Sequence, residues 1–199
     1  MIAPRRLHRA AGAVLAVFVT VHIANHLVAL AGVDAHVRFM ERARLVYRQP
    51  VVEVVLLLCA ALQAASGLSM LWTGRHRRRT VLGWLQAGSG AYIALFLAIH
   101  VGAVLAARIV GGLDTNFYFA AAGLHVWPFA LFFAPYYFLA VAALFAHVGC
   151  ALRRGRAVVA RMSGAGVVVA VLIVATLMGK VVPVAIPARY LATFAFAGP

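Results

Sequence analysis

Residues 10–33 read AAGAVLAVFVTVHIANHLVALAGV, an unbroken run without a charged side chain that carries His22 and His26 toward its far end. At about 1.5 Å of rise per residue, such a run crosses the roughly 30 Å hydrocarbon layer of a bilayer. Arg5, Arg6 and Arg9 precede it and Ala29-Leu30-Ala31 imitates a cleavage site. The run is too long for a secretory signal and holds the polar His22, Asn25 and His26, so it reads as a retained helix. Working outward, similar apolar runs recur at 50–73, 83–109, 128–152 and 163–187. The expectation is an all-α, polytopic bundle of five transmembrane helices in a single transmembrane domain over residues 1–199.

Composition agrees: 65% of the 199 residues are apolar and 11% are charged, which leaves too little polar surface for a soluble domain. The formal charge is +14, from 18 Lys and Arg against four acids. That balance in a soluble chain points to nucleic acid, but here the arginines fall in short clusters between apolar runs, with no basic face interleaved with aromatics. Membrane lipid, and not nucleic acid, is the partner this implies. Cys59 and Cys150 lie inside apolar runs without metal-ligand spacing and read as packing. Arg5, Arg6 and Arg9, then Arg75, Arg77, Arg78 and Arg79, then Arg153, Arg154, Arg156 and Arg161, alternate with the other side of the bundle. This predicts a cytoplasmic N-terminus, an outer C-terminus and a multi-pass protein of a bacterial inner membrane. The opposing loop, 34–49, carries Arg38, Arg42, Arg44 and Arg48 but also Asp34 and Glu41. All four acids, with Glu53 and Asp114, fall at or beyond the outer ends of spans.

The first and third spans repeat one another. Leu7-His8-Arg9-Ala10-Ala11-Gly12 is followed by Phe18 and His22, and Leu85-Gln86-Ala87-Gly88-Ser89-Gly90 by Phe96 and His100, at equal offsets. Spans one and three run in the same direction, so His22 and His100 reach about the same depth, roughly 22 Å from the inner ends. Imidazole ligates iron, a histidine in hydrocarbon is costly without a partner, and small residues near the helix starts admit a flat macrocycle. Haem held between His22 and His100 is the direct reading, weighed against histidines that only bond a neighbouring helix. His26 lies one turn beyond His22 and is assigned to haem or quinone contact. His147, on the fourth span, sits deep on the inner side and is a candidate ligand of a second haem. The second span offers Gln63, with Met70 two turns further along the same face, where a partner for His147 would stand.

Three segments carry a family resemblance: Trp84-Leu85-Gln86-Ala87-Gly88-Ser89-Gly90 with His100, Gly12 with His22, and Ala146-His147-Val148-Gly149 before an arginine pair. Over residues 5–160 the chain resembles the single-polypeptide, five-helix cytochrome b membrane anchors of succinate dehydrogenases and fumarate reductases. The resemblance implies His22 and His100 as axial ligands of a haem b far from the soluble subunits, and His147 as ligand of a nearer haem. The chain departs from the family at Gln63, where that nearer haem's partner histidine is expected, and at Phe145, where some members carry an acid. One haem is therefore expected, and two if His147 finds a partner.

The resemblance further implies flavoprotein and iron-sulfur subunits on the cytoplasmic face and electron exchange with a membrane quinone. Glu53, near the outer end of span two, is predicted as the group that handles the quinone proton, against an alternative pairing with Arg48. Tyr47, Trp127, Tyr136 and Tyr137 fit an interfacial aromatic belt. His8, Arg9 and the inner arginine clusters are candidates for haem propionates or the partner subunit. His36, His76 and His125 fall in predicted loops and receive no role. Two other readings stand beside this one. They are a stand-alone membrane cytochrome b and a haem-free membrane subunit or transporter whose histidines line a polar cavity.

Overall fold

The computed structural model describes residues 4–74, 80–152 and 154–195. Arg75, His76, Arg77, Arg78, Arg79 and Arg153 lie outside the described residues. Helix α1 (Pro4–Val28) continues through a 3-10 turn at Ala29–Ala31 and is followed by α2 (Val33–Tyr47), α3 (Pro50–Thr73), α4 (Val81–Ile109) and the short α5 (Phe117–Ala122). Then come α6 (Ala130–Ala151), α7 (Arg156–Leu177) and α8 (Ala188–Leu191), with a last 3-10 turn at Ala192–Phe194. Every element among the described residues is helical. Five of them, Arg5–Ala31, α3, α4, α6 and α7, are long and apolar enough to cross a membrane, as expected of a multi-pass protein.

Local chemistry sets the boundaries. Pro50 occupies the first turn of α3, where its missing N–H costs nothing. Thr80 Oγ1 accepts from the Gly83 amide at 3.1 Å to open α4, and Asn116 Oδ1 accepts from the Tyr118 amide at 3.0 Å to open α5. Gly32, at φ 115°, turns the chain between α1 and α2, a conformation closed to residues with a Cβ.

Two expectations are corrected. The segment 34–49 is not a loop but mostly α2, an amphipathic helix whose His36 and Met40 are buried while Asp34, Arg38, Glu41, Arg42 and Leu45 point outward. Its many charges conceal an inward stripe at helical spacing. The fifth span runs over 156–177 rather than 163–187. Its exposed Arg156 and Arg161 sit within the first turns, where long side chains can reach the interface, and the chain turns away at Gly179, at φ 70°.

The five spans form a ring in the order α1, α3, α4, α6, α7, with a thinner contact returning from α7 to α1. The chain starts at one face, here the open face, and α2, α5 and α8 cover the other, the capped face. The buried core lies under that cap, where Phe117, Ala121 and Leu124 meet Ala29 of the 3-10 turn after α1, Val141 of α6 and Ala170, Ile173 and Leu177 of α7. Tyr190 of α8 is fully buried and its hydroxyl accepts from Asn116 Nδ2 at 3.0 Å, pinning the cap. By contrast α3 buries none of its residues within the chain, as suits a lipid-facing helix.

Candidate functional site

His22 on α1 and His100 on α4 face each other beneath the cap, with ring centroids 6.2 Å apart and planes at 67°. Each ring stacks on the phenylalanine one turn before it. Phe18 lies 5.6 Å from His22 at 19°, and Phe96 lies 4.9 Å from His100 at 14°. The repeated Phe-to-His spacing thus becomes two like-built helix faces, because residues four apart are neighbours on a helix. Tyr47 packs edge-on against Phe18, and the buried Tyr136 packs on Phe96. Tyr136 also interlocks α6 with α4, accepting at its backbone carbonyl from the Tyr92 hydroxyl at 3.0 Å. These two tyrosines support the histidine pair; an aromatic belt does not describe Tyr136.

His26 stands edge-on to His22 at 4.8 Å, and His36 of α2 follows at 5.4 Å from His26. Four histidines, His100, His22, His26 and His36, so form one ladder of rings that ends on Phe117, 5.2 Å beyond. His36 is 2% exposed. Asn25 Nδ2 donates to its Nε2 at 3.1 Å. Burial, reinforced by His22 and Arg44, pushes the His36 imidazole down to about 4, so it stays neutral near pH 7. The signal for His36 in the sequence is its spacing of four from Met40, which shows only once 34–49 is treated as a helix.

At the same end, Arg108 of α4 donates to both carboxylate oxygens of Glu53. The carboxylate singled out as the proton-handling group is therefore ion-paired, and with Arg108 rather than Arg48. Arg44 of α2 pairs with Asp114 at 2.8 Å and donates to the Thr115 carbonyl at 3.2 Å, tying α2 to the segment before α5.

The open half holds a second polar group of different character. His147 Nδ1 donates to the Gln86 carbonyl at 3.1 Å and lies near Ser89 Oγ at 3.4 Å. A Cβ at Gly90 would come within 2.9 Å of the His147 ring, and one at Gly12 within 3.2 Å of the Gln63 amide. These glycines of the repeat make room for side chains of neighbouring helices. Gln63 Nε2 donates to His8 Nε2 at 3.1 Å, while His8 Nδ1 donates to Ser66 Oγ at 3.0 Å. His8 thus occupies the surroundings of Gln63 from α1. His125 is a structural cap, its Nε2 donating to the Leu177 carbonyl at the end of α7 at 2.8 Å.

Among the described residues no three His, Cys, Asp or Glu side chains are arranged to hold a metal ion. No family model, curated protein or solved structure matches the chain.

Proposed function

We propose that the chain is the haem b-holding membrane subunit of a succinate dehydrogenase/fumarate reductase-like complex, passing electrons between an iron-sulfur partner and a membrane quinone. The observation that carries this reading is the His22–His100 pair. With about 2 Å from metal to nitrogen and about 1 Å from nitrogen to ring centre, two imidazoles on one metal stand about 6 Å apart. The observed separation is 6.2 Å. A facing imidazole pair, with no three metal-binding side chains arranged to hold an ion among the described residues, suits a macrocycle that brings four nitrogens of its own better than a tetrahedral metal ion.

Haem, when bound, supplies one-electron transfer. The chain's own contribution is to fix the two imidazoles. Phe18 and Phe96 set the ring planes, and Tyr47 and Tyr136 back the phenylalanines. The open face, with Arg5, Arg6, Arg9, Arg154, Arg156 and Arg161, is the cytoplasmic side in this reading, where the flavoprotein and iron-sulfur subunits dock. Glu53, held by Arg108 at the capped end of α3, is the acceptor for a quinol proton, and His26 is the polar contact beside the haem. Locating the protein in a bacterial inner membrane follows from the same orientation.

A stand-alone membrane cytochrome is the second reading, favoured by one observation. Gln63 bonds His8 where the family expects a haem ligand, and this interrupts a two-haem route from the open face. A reduced-minus-oxidised spectrum of purified protein with a pyridine haemochrome assay decides the common premise. One haem per chain is expected; none in protein expressed with ample haem would leave only a haem-free membrane subunit. Co-purification with a flavoprotein and an iron-sulfur protein then separates anchor from stand-alone cytochrome.

A further inference from the structure

Six buried polar side-chain atoms among the described residues lack a partner, and four of them share one neighbourhood under the cap: Asn25 Oδ1, His26 Nδ1, His36 Nδ1 and Arg44 Nε. Native folds rarely leave such atoms unsatisfied, so a concentration of them marks a place where something else bonds. Asn25 Oδ1 is an acceptor, but two of the four are donors, and these two ask for an acceptor. Because Asn25 Nδ2 donates to His36 Nε2, the His36 proton sits on Nδ1 and points a donor into the protein. Arg44 uses Nη2 for Asp114 and the Thr115 carbonyl, which leaves its buried Nε–H without an acceptor. The chain has no spare carboxylate to answer these donors. It carries only four acids; Glu53 is taken by Arg108, Asp114 by the other edge of Arg44, and Asp34 and Glu41 face outward on α2.

The two donors begin where the histidine pair ends. From His22 the ladder passes to His26 in a 4.8 Å step and to His36 in a 5.4 Å step, moving toward the cap. A haem ends on one edge in two propionate carboxylates, acceptor-only groups on flexible arms. We propose that the propionates of a haem held between His22 and His100 are received at the capped end by Arg44 Nε–H and His36 Nδ1–H. This rests on the haem reading above and adds a direction to it. The carboxylate edge of the macrocycle faces α2, and neither His8, Arg9 nor the arginines of the open face hold it. Arg44 becomes a two-sided residue, clamping α2 to Asp114 with one edge and a cofactor with the other, so docking of the cap and retention of haem are coupled.

The test uses the full chain in detergent, loaded either with native haem or with haem dimethyl ester, whose carboxylates are capped, and follows haem transfer to apomyoglobin. Wild type should release the ester at least about tenfold faster than native haem, the loss that charge-assisted hydrogen bonds imply. Arg44→Gln combined with His36→Leu should release native haem as fast as wild type releases the ester, and should no longer distinguish the two haems. Asp114→Asn alters the outer edge of Arg44 and the bond from Asn116 but leaves Arg44 Nε in place, so it should keep the wild-type difference, which separates cofactor contact from docking of the cap. Equal release of both haems from wild type, or an Arg44→Gln variant that still discriminates as wild type does, overturns the assignment while leaving the His22–His100 pair standing. A wild-type chain that binds no haem overturns both. The comparison of the two haems on wild type needs no variant, so a misfolded substitution cannot obscure the result.

Discussion

The bundle holds histidines at two levels, and the two levels treat them in opposite ways. In the open half, His8 has both ring nitrogens bonded, to Ser66 and Gln63, and His147 gives its Nδ1 proton to a helix carbonyl. Under the cap, His22 and His100 stack on Phe18 and Phe96 and face one another, and His26 and His36 each keep a buried Nδ1 without a partner. The same side chain is structural cement at one end and a waiting donor or ligand at the other. What separates the cases is whether neighbouring helices supply hydrogen-bonding partners. Ser66, Gln63, Ser89 and the Gln86 carbonyl do so in the open half. Under the cap Phe18 and Phe96 stack on His22 and His100 instead, while Asn25 answers only Nε2 of His36, and His125 at the rim of the same end bonds the Leu177 carbonyl.

The strongest way to break this comparison is to remove one histidine from each level. His22→Ala or His100→Ala should abolish the low-spin haem spectrum, whereas His147→Ala should retain it; haem per chain is the measure. Retention in both of the first two variants would discard the pair. A smaller effect sharpens the point about His36. Its imidazole titrates at about 4 in the fold, against an ordinary 6.5, so the unfolded or undocked segment binds a proton first as pH falls. In the haem-free chain, docking of α2 is therefore at full strength above pH 6.5 and weakens between 6.5 and 4, by about 1.4 kcal/mol per pH unit and about 3 kcal/mol in all. Hydrogen exchange of the α2 amides at pH 7.5 and 4.5 should show this, and His36→Gln should flatten it.

Smaller still is the cost of cutting the cement. His8→Ala leaves Gln63 and Ser66 without their shared partner and should lower thermal stability in detergent by about 1–3 kcal/mol without changing haem content. Should haem be lost instead, the open half is part of the site and the contrast fails. The least effect belongs to Asp114→Asn. Its carboxylate is 41% exposed, so breaking the bond to Arg44 should cost no more than about 1 kcal/mol, read as a small shift in melting temperature.

How much of this was legible beforehand differs by element. The five spans and the depth of His22 and His100 follow from apolar length and from equal spacing along single helices, properties that a chain carries locally. Even the stacked phenylalanines are foreshadowed, since a residue four positions earlier lies on the same face. The partner of Glu53 is not: Arg48 is near in sequence, but Arg108 comes from a helix antiparallel to α3 whose end meets it only when the ring closes.

The sequence by itself determined the solvent this chain requires, its helical class and the matched histidines, because each depends on hydrophobic length or on helix periodicity within one segment. Only the tertiary structure decided that 34–49 folds inward as α2, that His36 joins the ladder, that His8 answers Gln63 and that Arg44 faces both ways. Those depend on which distant side chains are brought within a few ångströms when helices pack, and no spacing along the chain encodes that distance.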